Sequence, residues 1–119
     1  MKQVKIEIVG SAKEEYKKLS KIVGQEISEG IISSKNQTLL RSIKTKFNFI
    51  ENNPHYGEPI GKSKVPKRYS KLGLTSLYWV KLSNYWRMIY TLKGNEVEII
   101  SIVLDIFDHK KYDKIFKYK

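Results

Sequence analysis

The feature that most constrains this chain is a change in hydrophobic period. From Ala12 to Ile50 apolar residues recur at steps of three and four, whereas from Leu77 to Leu104 they come in short runs rich in β-branched and aromatic residues. The change falls between Pro54 and Ser70, a stretch that holds all three prolines, two glycines and a cluster of lysines. A helix repeats roughly every 3.6 residues and a strand every 2, so one pattern cannot serve as the other. The chain is therefore read as helices, then a loop with room for a short extended piece, then strands.

Before the loop two helices are expected. Ser11 begins S-A-K-E, a capping box in which the Ser11 hydroxyl accepts from the Glu14 backbone N–H. Ala12, Tyr16, Leu19, Val23 and Ile27 then form one apolar stripe, with lysines on the outer face. Gly24 is expected to kink or weaken this helix and Gly30 to end it. Ser33 or Ser34 can cap a second helix, carried by Leu39, Leu40, Ile43, Phe47 and Ile50 and stopped at Asn53-Pro54. The short connection makes the two a helical hairpin.

Ahead of the helices, Val4, Ile6 and Ile8 alternate with Lys5 and Glu7, the pattern of a strand. After the loop, strands are expected over 77–82, 86–92 and 97–104, with turns at Ser83-Asn84 and Lys93-Gly94-Asn95. The last strand is apolar at nearly every position and should lie inside the sheet. Tyr78 and Trp79 must point to opposite faces. Asp108 caps a short helix to Phe116. The expected fold is a single α+β domain spanning 1–119, ordered β-α-α-β-β-β plus a terminal helix. An antiparallel sheet packs on the helical hairpin, the first strand joins that sheet, and the other face is left concave or open.

Composition bears on partners. Lys and Arg number 23 against 12 Asp and Glu, a net charge of +11. Such an excess points to a polyanion, most often nucleic acid, although a lysine-rich proteome is the plainer source. There is no cysteine, which excludes disulfides and thiolate zinc sites. No stretch approaches the roughly 18 apolar residues of a membrane helix, and the first residues lack the continuous apolar core of a signal peptide. A cytoplasmic protein with no membrane partner is expected.

One residue stands out in the strand region. Arg87 lies between Trp86 and Met88. A guanidinium keeps its charge near neutral pH and is costly to bury without a partner, so Arg87 either faces solvent or is held to meet an anion.

The element order, together with "SAKEEYKKL", "WRMIYTL" and "VEIISIVLDIFDHKKYDKIF", resembles the RelE/ParE superfamily of type II toxin–antitoxin toxins, on its RelE-like side. The resemblance covers nearly the whole chain. Its most specific part is the aromatic-Arg pair, the turn and apolar strand that follow, and then His-x-x-Tyr-Asp-x-x-Phe from His109 to Phe116. It implies a ribosome-dependent mRNA endonuclease that inhibits translation, needs no metal or other cofactor, and is neutralised by a cognate antitoxin. mRNA, the ribosome and the antitoxin are then the partners. The ParE side of the superfamily inhibits DNA gyrase instead, and an inactive RNA-binding relative is a third reading. The shared fold does not choose among them.

The resemblance also implies roles. In such cleavage the RNA 2′-hydroxyl attacks the adjacent phosphorus, a base takes its proton, cations stabilise the phosphorane, and an acid protonates the leaving 5′-oxygen. Arg87 occupies the position of the superfamily's phosphate-binding arginine. His109 and Tyr112 stand where acid–base residues are found, and Lys110, Lys111 and Lys114 would supply the cationic setting a tyrosine needs. Lys62, Lys64, Lys67, Arg68 and Lys71, with Tyr69 interleaved, and Lys110 and Lys111 would line the RNA path. The structural alternatives are a solvent-facing strand arginine, a Tyr112 packed on the sheet, a helix-entry His109, and a solvated loop. His55 is expected at the surface. Asp105 and Asp108 depart from the family, which carries basic residues there. They would repel a phosphate unless they orient His109 or lie outside the groove. As metal ligands with His109 they have no supporting cluster.

Overall fold

The computed structural model describes residues 3–74, 76–95 and 97–116. Strand β1 (Gln3–Ile8) leads into helices α1 (Gly10–Ser28) and α2 (Lys35–Asn52). Strand β2 (Glu58–Ile60), a 3-10 turn (Lys62–Lys64) and the one-turn helix α3 (Lys67–Ser70) follow. Then come β3 (Leu77–Lys81), a second 3-10 turn (Ser83–Tyr85), β4 (Arg87–Gly94), β5 (Glu98–Phe107) and α4 (His109–Phe116). The fold is α+β, with a five-stranded sheet in the order β1-β5-β4-β3-β2.

The helical hairpin forms much as its period requires. Among the described residues α1 runs unbroken through Gly24. It ends at Gly30, whose φ of 83° suits glycine, while the N–H groups of Gly30 and Ile31 return to the carbonyls of Ile27 and Glu26. Ser34 caps α2 by accepting from the Gln37 N–H at 3.1 Å. Its own hydroxyl donates to Glu26 at 2.5 Å, and Asn36 also donates to that carboxylate, tying the two helices together. These hydrogen bonds, Ser34's first, hold the Glu26 carboxyl below its ordinary pKa. Ala12, Leu19, Val23, Leu39, Leu40, Ile43 and Ile50 pack on Val80, Met88, Tyr90, Val103 and Ile106 of the sheet. Ile27, expected on the same apolar stripe, is exposed.

Three expectations are corrected, while the short extended piece allowed for in the proline loop is present as an edge strand, β2, paired with β3. The sheet is mixed rather than antiparallel: β1 enters after a two-helix crossover and pairs with β5 in parallel. Ser11 makes no helix cap; Val9 is the N-cap residue and the Ser11 hydroxyl points elsewhere. The second face of the sheet is not open throughout. α4, α3 and the loop between them and the sheet cover one end of it, burying Ile60, Tyr69, Leu77, Ile89, Phe107, Tyr112 and Phe116. The remaining expectations on the sheet hold. β3, β4 and β5 form an antiparallel meander, β5 is internal, and Asp108 caps α4 by accepting from the Lys111 N–H at 2.9 Å.

Candidate functional site

The covered end of the second face is held by one carboxylate. The β4–β5 register skips a residue: Ile89 pairs with Asp105 and Tyr90 with Val103, leaving Leu104 as a bulge. A bulge redirects the side chains after it, and here Leu104 and Asp105 both serve the second face. Asp105 is 4% exposed. It accepts from the Tyr69 hydroxyl at 2.6 Å and the Ser11 hydroxyl at 2.5 Å, and Arg68 lies 3.6 Å away. Burial, then the bond to Asp105, push the Tyr69 hydroxyl pKa up, so it remains a donor. Asp105 thus locks α3 and the start of α1 onto β5. The acid that seemed set to repel a phosphate is satisfied from three sides.

Beside this clamp lies Arg87, the first residue of β4 and half-buried. Its guanidinium is 5.1 Å from the centre of the Trp79 ring and 5.5 Å from that of Tyr112. One nitrogen donates to the Trp86 carbonyl at 3.3 Å. Among the described residues no carboxylate pairs with it. Aromatic faces stabilise a cation without neutralising it, so Arg87 keeps its charge for another anion. Directly across the register is Lys81, which is exposed on the same face. Two cations opposite each other on a sheet repel unless an anion lies between them.

A tight turn closes this corner. The Trp86 N–H donates to the Ser83 carbonyl and the Leu82 N–H to the Trp86 carbonyl. Asn84 and Tyr85 both sit in the left-handed region, at φ 57° and 64°. Asparagine tolerates this better than tyrosine, so Tyr85 carries backbone strain. Its ring lies 6.0 Å from His109. His109 is exposed at the start of α4, with Nε2 3.1 Å from Asp113.

The three predicted catalytic residues therefore gather at one end of the sheet. Tyr112 is 5% exposed and packed on Phe107 and Phe116, with Arg87 over its ring. His109 is turned to the outer side of α4. Lys62, Lys64, Lys67, Lys71, Lys110 and Lys111 are all exposed, while Arg68 is engaged with Asp105. Asp105, Asp108 and His109 have separate partners and do not converge. Among the described residues no three His, Asp or Glu side chains form a metal-sized group. His55 is exposed and bonds the Tyr78 hydroxyl. Tyr78 and Trp79 do point to opposite faces.

No family model, curated protein or solved structure matches this chain. The geometry must carry the chemistry. The sequence reading missed Lys81, Trp79 and Tyr85 as members of the site. A signal for Lys81 was available, since a turn centred on Asn84 sets Lys81 opposite Arg87. A separate apolar pocket of about 190 Å³ lies between α1, α2 and the sheet, lined by Leu19, Ile22, Leu39, Ile43, Trp86 and Ile106. Glu15, Lys18 and Asn36 complete its lining, and none of the predicted site residues reaches it.

Proposed function

We propose that the chain is a RelE-like toxin of a type II toxin–antitoxin system that cleaves ribosome-bound mRNA. The observation that carries this reading is Arg87, a cation on a strand, held between two aromatic rings and facing Lys81 without a carboxylate partner. Such a pair suits a phosphate passing through a crowded, more negative transition state. The exposed lysines of 62–71 and of α4 suit the flanking phosphates. Asp105, which would oppose this reading, is engaged inside the fold by two hydroxyls and has Arg68 3.6 Å away to offset its charge.

In the proposed reaction the 2′-oxygen forms a bond to phosphorus while the bond to the 5′-oxygen breaks. Arg87 and Lys81 stabilise the charge on the non-bridging oxygens. His109, beside the Tyr85 ring and with Nε2 3.1 Å from Asp113, is the proposed acid–base group. Tyr112 supplies the aromatic wall that positions Arg87, with its hydroxyl the second acid–base candidate.

The test is cleavage mapping of ribosome-bound mRNA after induced expression. Arg87→Ala should lower cleavage on the order of a hundredfold or more while the protein stays folded. His109→Gln should lower it too. Tyr112→Phe separates the ring from the hydroxyl. If all three variants cut as the parent does, the site is wrong. If the parent cuts nothing but blocks supercoiling by gyrase, the ParE-like reading replaces this one. The reading also requires an antitoxin, whose binding should raise the thermal stability of the chain.

A further inference from the structure

The two edges of the sheet are treated differently. β2 is three residues long and carries Pro59, a short, proline-bearing edge that offers little to a further strand. β1 is six residues long, has no proline and, among the described residues, has no strand on its outer side. The Gln3 N–H donates to the Val97 carbonyl just before β5, at 3.2 Å, and the Val9 N–H to the Val103 carbonyl of β5, at 3.1 Å. By the alternation of a strand, Val4, Ile6 and Ile8 turn their N–H and C=O groups outward.

We infer that this edge pairs with the same edge of a second copy of the chain. An antiparallel two-fold pairing must set outward residues opposite outward residues. Centred on Ile6, it sets Ile6 on Ile6 of the second copy and Val4 on Ile8 as hydrogen-bonded pairs. Lys5 then lies opposite Glu7, twice, on the exposed face. Cross-strand pairs of opposite charge are stabilising and like charges are not. The adjacent allowed registers set Lys5 on Lys5 or Glu7 on Glu7 and are disfavoured. The edge is thus its own complement in one register only, and the two sheets would join into one of ten strands. Glu7 has no ion-pair partner among the described residues, so the cross-strand pairing would supply one. Lys5 already meets Glu98 at 3.3 Å and would lie between two carboxylates.

Sedimentation equilibrium tests this, over about 1 to 500 µM because an edge-to-edge interface is small and therefore weak. The parent should pass from monomer to dimer within that range. Glu7→Lys sets like charges opposite each other at both symmetric positions and should weaken association about tenfold or more. The double variant Lys5→Glu/Glu7→Lys restores opposite charges and should recover dimerisation. Circular dichroism establishes that each variant is folded. A parent that stays monomeric throughout overturns the inference. So does a Glu7→Lys variant that dimerises as the parent does, or a folded double variant that fails to recover.

Discussion

The two faces of the sheet are built in different ways. The hairpin face is a broad contact of aliphatic residues from α1 and α2, nearly all at regular helical spacing. The second face is a small aromatic cluster closed by a buried carboxylate, two hydroxyls and a guanidinium. The first holds the fold by area. The second holds a few side chains in set positions, among them Arg87 between the Trp79 and Tyr112 rings. Stability and site geometry are thus assigned to opposite sides of one sheet.

The comparison breaks most directly with Ile43→Ala. Ile43 is fully buried on the hairpin face, and its truncation should cost about 2–5 kcal/mol in denaturant unfolding. On the second face, Tyr69→Phe keeps the ring but leaves a buried carboxylate oxygen short of a donor, at about 1–3 kcal/mol. Hydrogen exchange should then show residues 62–74 opening ahead of the hairpin. A Tyr69→Phe loss equal to that of Ile43→Ala would erase the distinction.

Arg87→Ala should cost only about 1 kcal/mol of stability, far less than its proposed effect on cleavage. A stability loss as large as that of Ile43→Ala would make Arg87 a core residue rather than a site residue. Tyr85→Gly should stabilise the chain by up to about 1 kcal/mol, because glycine accepts the left-handed backbone that tyrosine resists. It removes the ring beside His109, so a gain in melting temperature with a loss of cleavage would mark strain kept for function.

The smallest effect is an acid one, on the hairpin side. The Glu26 carboxyl has its folded pKa below the ordinary 4.5. Its contribution is therefore complete above that value and is lost as pH falls through the lower, folded one. Melting temperature should drop across that window in the parent and less in Glu26→Gln. An equal drop in both would detach Glu26 from the hairpin's acid stability.

Legibility in the sequence followed the same division. The hairpin, its Gly30 terminus, the Asn53-Pro54 stop and the three-stranded meander could be read, because each rests on local periodicity or a turn residue. The Asp105 clamp could not. Ser11 and Asp105 stand far apart in sequence, and nothing local says that a serine in a good capping position will bond a distant carboxylate instead. The bulge at Leu104, which aims Asp105, is equally silent in a run of apolar residues. Arg87 was conspicuous because it interrupts such a run. Its aromatic cage was not, since Trp79 and Tyr112 reach it only through the β3–β4 register and the docking of α4. The parallel pairing of β1 was hidden for the same reason.

That parallel pairing also sets an order of events in folding. Gln3 can find Glu98 only when the intervening chain has been made. Loop closure over such a span is entropically costly, and it slows folding more than it lowers stability. The hairpin can form early from neighbouring residues, while β1 waits for β5. Arg87, Asp105, His109 and Tyr112 all lie in the last portion to assemble. A nascent chain ending before residue 98 would thus have helices but no closed sheet and no caged arginine. In a protein proposed to act on ribosomes, the ribosome making it would be spared until the sheet closes.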